Sequence, residues 1–347
     1  MDWLVELFKL PEKFKIKNEG GGSISTSTTH TYFHSVNVAK QKKLEERNLD
    51  FKSEESLKLV AYYPEIHEKR VSRALILKEI VHKRPISLIF DQKKMNFHLD
   101  IDLFESQVKT DLENGLIPFW CDCSYGSDEI GNFDDVTAIS QICEKYNLFL
   151  NVNANWGGMF LSLPNFSPSP INLQAANFFI VNGRFLDLGG YSSFMFFDDK
   201  KLFSRSVGGT MSYPIVQIDN KTSDVMHMKD FNIGFGKRFN SYKAYFTIRK
   251  RGAKGIREFL QRKIDLAQRF LNSLNLKKFE IVENNFAGTV GFCLRPNFVE
   301  EKENLRSLIE DGYLGSRVVG GRMIYIFCIN STRSTEKDVI EFANKLN

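Results

Sequence analysis

The sequence of 347 residues predicts an α/β fold: a larger part built on a mostly parallel sheet, followed by a smaller α/β unit. Three observations carry this. Apolar strand-like runs alternate with helical runs through the first two thirds, the order a parallel sheet needs because each strand is reached by a crossover. The last third bunches the short runs FEIVEN, GTVGFCLRP, SRVVGG and RMIYIFCIN between helices near 300–310 and 335–346, which suits antiparallel strands packed on helices. The length also exceeds what one small core serves, so two units are expected, 1–240 and 241–347.

Composition narrows the function classes. Hydrophobic residues make up 42% and charged ones 26%, ordinary for a globular chain. The net charge of +5 is spread among Asp and Glu rather than blocked, so no nucleic-acid partner is expected. The chain has no apolar run of membrane-spanning length, and the opening MDWLVELFKLPEKF lacks the pattern of a signal peptide. No membrane partner and a cytoplasmic location follow as expectations. Five cysteines, Cys121, Cys123, Cys143, Cys293 and Cys328, read as reduced thiols, mostly buried. The Cys121 to Cys123 spacing is too short for a zinc knuckle and has no second pair, so no metal is expected.

Taken in order, Trp3, Leu4, Leu7 and Phe8 repeat at helical spacing until Pro11 stops the turn. GGGSISTSTTHTYFHSVNVAKQKK reads as a Gly-rich loop, a Ser/Thr cluster and a helix of about fifteen residues. Such a start either caps the helix or offers N–H groups and hydroxyls to an anion. LVAYYPEIHEKRVSRALILKEI gives a strand from Leu59 to Tyr63 and a helix from His67 to Ile80, with His67 a cap, a surface residue or a ligand contact. PISLIFDQ reads as one further strand, and LDIDLFESQVKTDLENG as a helix with Leu103, Val108 and Leu112 on its apolar side. GLIPFWCDCSYGSDEIGNFDD is a strand running into a loop, DDVTAISQICEKYN a helix, and LFLNVNANWGG a strand. NFFIVNGRFLDLGGYSSFMFF is two apolar strands, Asn177 to Val181 and Tyr191 to Phe197, bent around a turn that presents Arg184 to whatever pocket the domain has. A polar stretch from Ser204 to Asp230 precedes a long helical segment beginning near Phe231.

These stretches resemble the group II pyridoxal-phosphate-dependent decarboxylases, the aromatic-L-amino-acid decarboxylase family. Gly20 to Gly22 match its GGG; Ile117, Pro118 and Phe119 match its Ile-Pro-Phe; Gly126, Phe133 and Asp134 match the loop that follows. LFLNVNANWGG is similar to its His-Val-Asp-Ala-Ala-Tyr-Ala-Gly strand. Gly236, Lys237, Arg238, Phe239, Ser241, Lys243 and Phe246 follow its Gly-Arg-Arg-Phe-x-Ser-Leu-Lys pattern, and Gly252, Lys254 and Gly255 its Gly-x-Lys-Gly. The resemblance implies a fold-type I, aspartate aminotransferase-like large domain and pyridoxal phosphate as cofactor. It also implies an amino acid or a pyridoxal-phosphate-like small molecule as ligand, and a homodimer or a heterodimer with an active paralogue.

The same resemblance sets Thr28 and Thr29 against the cofactor phosphate, His67 on the pyridine ring, and Ser124, Asn153 and Asn155 around it. It places Val181 to Phe185 over the family's Asn-Pro-His-Lys-Trp, so Arg184 takes the seat of the Schiff-base lysine and Gly183 that of the preceding imidazole. Asn153 stands where the family's Asp pairs with the pyridine nitrogen. A Schiff base needs an amine with a free lone pair, which a guanidinium does not offer, and an amide lacks the charge that holds a pyridinium. An impaired carboxy-lyase homologue is therefore expected, with Arg184 either facing solvent or gripping a phosphate or carboxylate. Two other readings stay open: an active decarboxylase that uses another lysine or an unlinked cofactor, and a non-enzymatic partner that pairs through the segment from Phe231 to Leu274. The polar stretch, which includes Tyr213, offers no position matching the family's mobile-loop tyrosine. The helical segment that family members carry ahead of the part matching Met1 is expected to be missing, and dimer contacts with it.

Overall fold

The computed structural model describes residues 1–186, 192–207, 231, 239–283, 286–331 and 333–347. Helix α1 (Asp2–Leu7) leads to strand β1 (Gly21–Ser25), α2 (Thr28–Arg47), β2 (Leu59–Pro64) and α3 (Glu68–Leu77). Next come β3 (His82–Ile86), the hairpin of β4 (Leu88–Asp91) and β5 (Asn96–Leu99), and α4 (Ile101–Glu113). Strand β6 (Ile117–Ser124), α5 (Val136–Lys145), β7 (Phe149–Asn153), β8 (Phe178–Asn182), β9 (Ser193–Phe197) and α6 (Lys200–Val207) complete the larger part. The rest is α7 (Asn240–Ser273), β10 (Phe279–Glu283), β11 (Thr289–Leu294), α8 (Lys302–Glu310), β12 (Gly315–Val319), β13 (Arg322–Cys328) and α9 (Glu336–Leu346).

Seven strands form one sheet in the order β1-β9-β8-β7-β6-β2-β3. Only β9 runs against the others, since it pairs antiparallel with both β1 and β8 while the remaining pairs are parallel. A sheet covered by helices on both sides needs apolar side chains on both faces. Strand β2 shows how: Val60 and Tyr62 enter one core with Phe104, Val108 and Ile139, and Leu59, Ala61 and Tyr63 enter the other with Val36, Val71 and Leu75. Pro85 sits in β3 at the sheet edge, where its missing N–H costs least. A second sheet, β10-β11-β13-β12, is antiparallel throughout, as the bunched strands of the last third imply. Helix α7 serves both parts: Ala244, Ile256 and Leu260 join the core of the larger one, and Leu266 and Phe270 pack on the small sheet. It breaks at Gly252, which has φ 63°.

Three local readings need correcting. The glycines 20–22 are not a loop: Gly21 and Gly22 belong to β1, paired with Phe197 and Phe196. A Cβ on Gly20 would stand 2.0 Å from the Lys13 carbonyl oxygen, so close backbone approach explains it without a ligand. The PISLIFDQ run is two strands, because β4 turns away from the large sheet to pair with β5. On α4, Phe104, Val108 and Asp111 are buried while Leu103 and Leu112 are 39% and 40% exposed. Val108 is buried as expected, but Leu103 and Leu112 lie about half a turn apart and flank the buried face, where Asp111 is held by Arg84 and Tyr62. Helix α2 is also longer than expected at 20 residues, capped by Ser27 at its start and closed by Asn48 in the left-handed region. None of the five cysteines is joined in a disulfide, and four of them are buried. Among the described residues no helix is long and apolar enough to cross a membrane.

Candidate active site

The parallel strands β2, β6 and β7 all end on one edge of the sheet, and the polar residues that follow an apolar strand gather there. His67 leaves β2 through a short 3₁₀ turn, is fully buried, and donates from Nδ1 to Asp122 Oδ2 at 2.6 Å. Asp122 lies inside β6, an eight-residue strand buried at every position. It accepts two further hydrogen bonds, from the Tyr32 hydroxyl at 3.0 Å and from Asn151 Nδ2 at 2.5 Å. On the other side of the ring, His67 Nε2 stands 3.2 Å from Ser124 Oγ, 3.3 Å from Asn153 Nδ2 and 3.6 Å from Glu129 Oε2. Burial alone would push the imidazole down; Glu129 and Asp122 outweigh it and raise it to about 9. A ring so charged donates its second proton to Ser124 Oγ. The Asn153 amide, whose oxygen is occupied by the Asn155 N–H, is then only a neighbour of that nitrogen.

The carboxylates shift the other way. Burial, with the Asp128 charge beside it, lifts Glu129 to about 7. Burial lifts Asp134 to about 6 against the pull of the Ser124 and Leu99 N–H groups that bond it. Arg70 reaches Asp128 at 2.5 Å and Glu129 Oε1 at 3.1 Å, and ties this cluster to a second feature.

That feature is a cavity of about 260 Å³ at the start of α2, lined by Thr28, Thr29, Asn182, Ser193 and Arg70 among others. The first turn of a helix leaves N–H groups free, and here Ser193 Oγ and both polar atoms of the Asn155 side chain are buried without a hydrogen bond. The expected residues therefore divide. His67, Ser124 and Asn153 meet directly; Thr28 and Thr29 line the cup; buried Asn155 joins them through its backbone, which bonds Asn153 Oδ1 and the Asn182 N–H. His67 is neither a surface residue nor a cap of the ordinary kind.

Gly183 is buried in the turn after β8, with Phe194 Cε2 2.6 Å and the Ser192 carbonyl oxygen 2.8 Å from where a Cβ would be. No side chain fits there without repacking. Gly183→Ala is expected to lower stability by about 1–3 kcal/mol, and an unchanged urea midpoint would disprove it. Arg184 lies in the same turn, but its side chain falls outside the described residues, as do Tyr213, Lys237 and Arg238.

The cup offers an anion the first N–H groups of α2, the Thr28 and Thr29 hydroxyls and the unpartnered Ser193 Oγ, beside an Asp128 carboxylate paired with Arg70. The turn that follows β8, NGRFL at residues 182–186, holds no lysine. Among the described residues the cup and the His67 contacts also include no lysine. What residue patterns missed was Asp122, Glu129 and Tyr32; the available signal was a charge in the middle of the apolar run IPFWCDCS.

A family model described as the pyridoxal-dependent decarboxylase conserved domain matches residues 1–295. Tyrosine decarboxylase 4 of Petroselinum crispum is 26% identical over 95% of this chain and 67% of its own length. Phenylacetaldehyde synthase of a Rosa hybrid cultivar is 24% identical over 99% of this chain and 70% of its own. Among solved structures, Oryza sativa TDC with PLP and tryptamine superposes with a TM-score of 0.90 at 20% identity, over 99% of this chain and 73% of that one. Catharanthus roseus tryptophan decarboxylase in complex with L-tryptophan gives 0.85 at 21%, over 99% and 72%. Those likenesses establish the fold-type I architecture, and the chain spans about two thirds of the curated relatives' length.

Proposed function

We propose that this chain, which belongs to the pyridoxal-dependent decarboxylase family, is a catalytically impaired homologue of the amino-acid decarboxylases that keeps a phosphate-binding cup without the covalent anchor. The observation that carries the reading is the lysine-free turn from Asn182 to Leu186, set directly after the strand that borders the cup. Pyridoxal phosphate, when bound, supplies the electron sink for decarboxylation. In this chain the α2 N–H groups and the Thr28, Thr29 and Ser193 hydroxyls would hold its phosphate. Asn153 would face its ring nitrogen with a neutral amide, and His67 would lie against the ring, already charged and bonded to Asp122. Nothing in that set condenses with an aldehyde.

The test is to add pyridoxal phosphate to the purified chain, reduce with borohydride and assay amine release from tyrosine and tryptophan. No reduced adduct and no amine are expected. A fixed adduct at a lysine together with amine release would overturn the reading in favour of an active enzyme with a non-standard site. Arg184→Lys with Asn153→Asp tests how much of the scaffold remains.

A second reading, partner binding, has its own support. Trp3, Phe239, Tyr242, Tyr245 and Phe246 are 47–74% exposed around a groove of about 780 Å³. Exposed aromatic clusters of this kind mark association surfaces. Pairing with a second copy or with an active paralogue predicts a dimer mass by light scattering, lost in Tyr242→Asp with Phe246→Asp; a monomer at all concentrations, alone and mixed, would remove this reading.

A further inference from the structure

The even spread of charge along the chain breaks down in one place. Between Asp230 and Glu258 the sequence carries eight Lys and Arg and neither Asp nor Glu. The first part of α7, ahead of the break at Gly252, gathers some of that charge on one face. Tyr242, Tyr245, Phe246 and Arg249 stand at i, i+3, i+4 and i+7 and so share a side of the helix, and Lys243 and Lys250 flank it. All six are exposed. The opposite side is the one that packs, with Ala244 in the core of the larger part and Ile248 half-buried against it. Trp3 and Phe239, also exposed, extend the aromatic surface around the groove of about 780 Å³.

Charge and ring geometry say what covers this face. Among the described residues no acid lines the groove, and Lys243, Arg249 and Lys250 make no ion pair. Glu6, the exposed acid of α1, is taken by Lys15 at 3.1 Å. A second copy applied through a two-fold axis would set the face against itself, cations against cations. Trp3 stacks on Tyr245 and Phe239 on Tyr242, so the rings close on one another rather than splay to receive bases. Exposed aromatics beside unpaired Lys and Arg instead suit the headgroup layer of an anionic membrane. There the rings bury their apolar bodies while the cations meet lipid phosphates.

We propose that this face of α7 docks on an anionic phospholipid surface, Tyr242, Tyr245 and Phe246 entering the headgroup layer and Lys243, Arg249 and Lys250 meeting its charge. Contact of this kind needs no membrane-spanning run. The inference takes the groove of the partner-binding reading and gives it a different occupant. It involves neither the phosphate cup nor pyridoxal phosphate.

The experiment is flotation of the full chain with vesicles of phosphatidylcholine alone and of phosphatidylcholine with about 30% phosphatidylserine, with tryptophan emission recorded alongside. Trp3 is exposed whereas the other two tryptophans, Trp120 and Trp156, are buried, so a blue shift reads this face. Binding to the phosphatidylserine vesicles with a blue shift is expected, about tenfold weaker or more on phosphatidylcholine alone and in about 0.5 M salt. Lys243→Glu with Arg249→Glu and Lys250→Glu should weaken it by a similar factor, and Trp3→Phe should keep the binding and lose the shift. No flotation with phosphatidylserine at about 50 mM salt, equal flotation with both compositions, wild-type binding by the charge-reversed variant, or a shift that persists in Trp3→Phe overturns the proposal. So does binding of a single-stranded oligonucleotide in place of vesicles. The three cations are exposed and outside any ion pair, so the variant is expected to fold, and a circular dichroism spectrum like that of wild type checks it. Light scattering without lipid tests the pairing reading separately: a dimer mass with no flotation gives the face to a second copy and overturns this proposal alone.

Discussion

Asp122→Ala is expected to cost about 3–5 kcal/mol of stability, because it strands a buried charge. Three donors converge on that carboxylate: His67 Nδ1, the Tyr32 hydroxyl and Asn151 Nδ2. All four residues are fully buried, so water does not replace the lost acceptor. Because His67 carries the charge that Asp122 compensates, the two act as a unit. The double variant Asp122→Ala with His67→Gln should lose less than the sum of the single changes, by 1 kcal/mol or more on the order typical of contacting pairs. Urea unfolding of the four proteins measures this. A single-variant cost below about 1 kcal/mol, or strict additivity, would show that Asp122 is bystander rather than counter-ion.

The same cluster makes stability fall as pH rises. For His67 the folded value, about 9, lies above the ordinary 6.5. The folded chain therefore binds the proton more tightly than the unfolded one. Its contribution is fully present below pH 6.5 and is lost as pH climbs through 9, a change on the order of 3 kcal/mol. Glu129 is raised from 4.5 to about 7 and Asp134 from 3.8 to about 6, so each also binds protons better when folded. Their contributions have the same sign and disappear from pH 4 to 7. Other groups titrate in these windows, so the useful quantity is the difference between wild type and His67→Gln. That difference is expected to shrink steadily from pH 6.5 to 9, and a difference that is flat or grows over that interval would mean that the buried imidazole is neutral.

These two expectations bear on the proposed function. A charged, four-fold contacted His67 is a rigid support, and its proton is not readily given up at neutral pH. On the proposed reading the lysine-free turn supplies no covalent anchor, and Gly183 is locked by Phe194 and the Ser192 carbonyl. Reinstalling the family's imidazole at 183 would therefore require repacking that turn, whereas lysine at 184 replaces one long side chain by another.

The sequence by itself determined the alternation of strands and helices, the antiparallel character of the small sheet and the family, because hydrophobic period and short motifs are local properties readable over ten or twenty residues. The family pattern also singled out His67, Ser124, Asn153, Thr28 and Thr29 as candidates. Tertiary structure alone decided which polar groups meet. Asp122 and His67 are 55 residues apart and touch only because β2 and β6 are adjacent in the sheet. Leu103 and Leu112, nine residues apart, fall on opposite sides of a helix, and the face that the structure buries is that of Phe104, Val108 and Asp111, the last bonded by Arg84 and Tyr62. The glycines at 20–22 fitted a phosphate loop on composition, and only the approach of Lys13 and Phe197 revealed a packed strand. Strand pairing joins segments distant in the chain, and a local period carries no record of its partner.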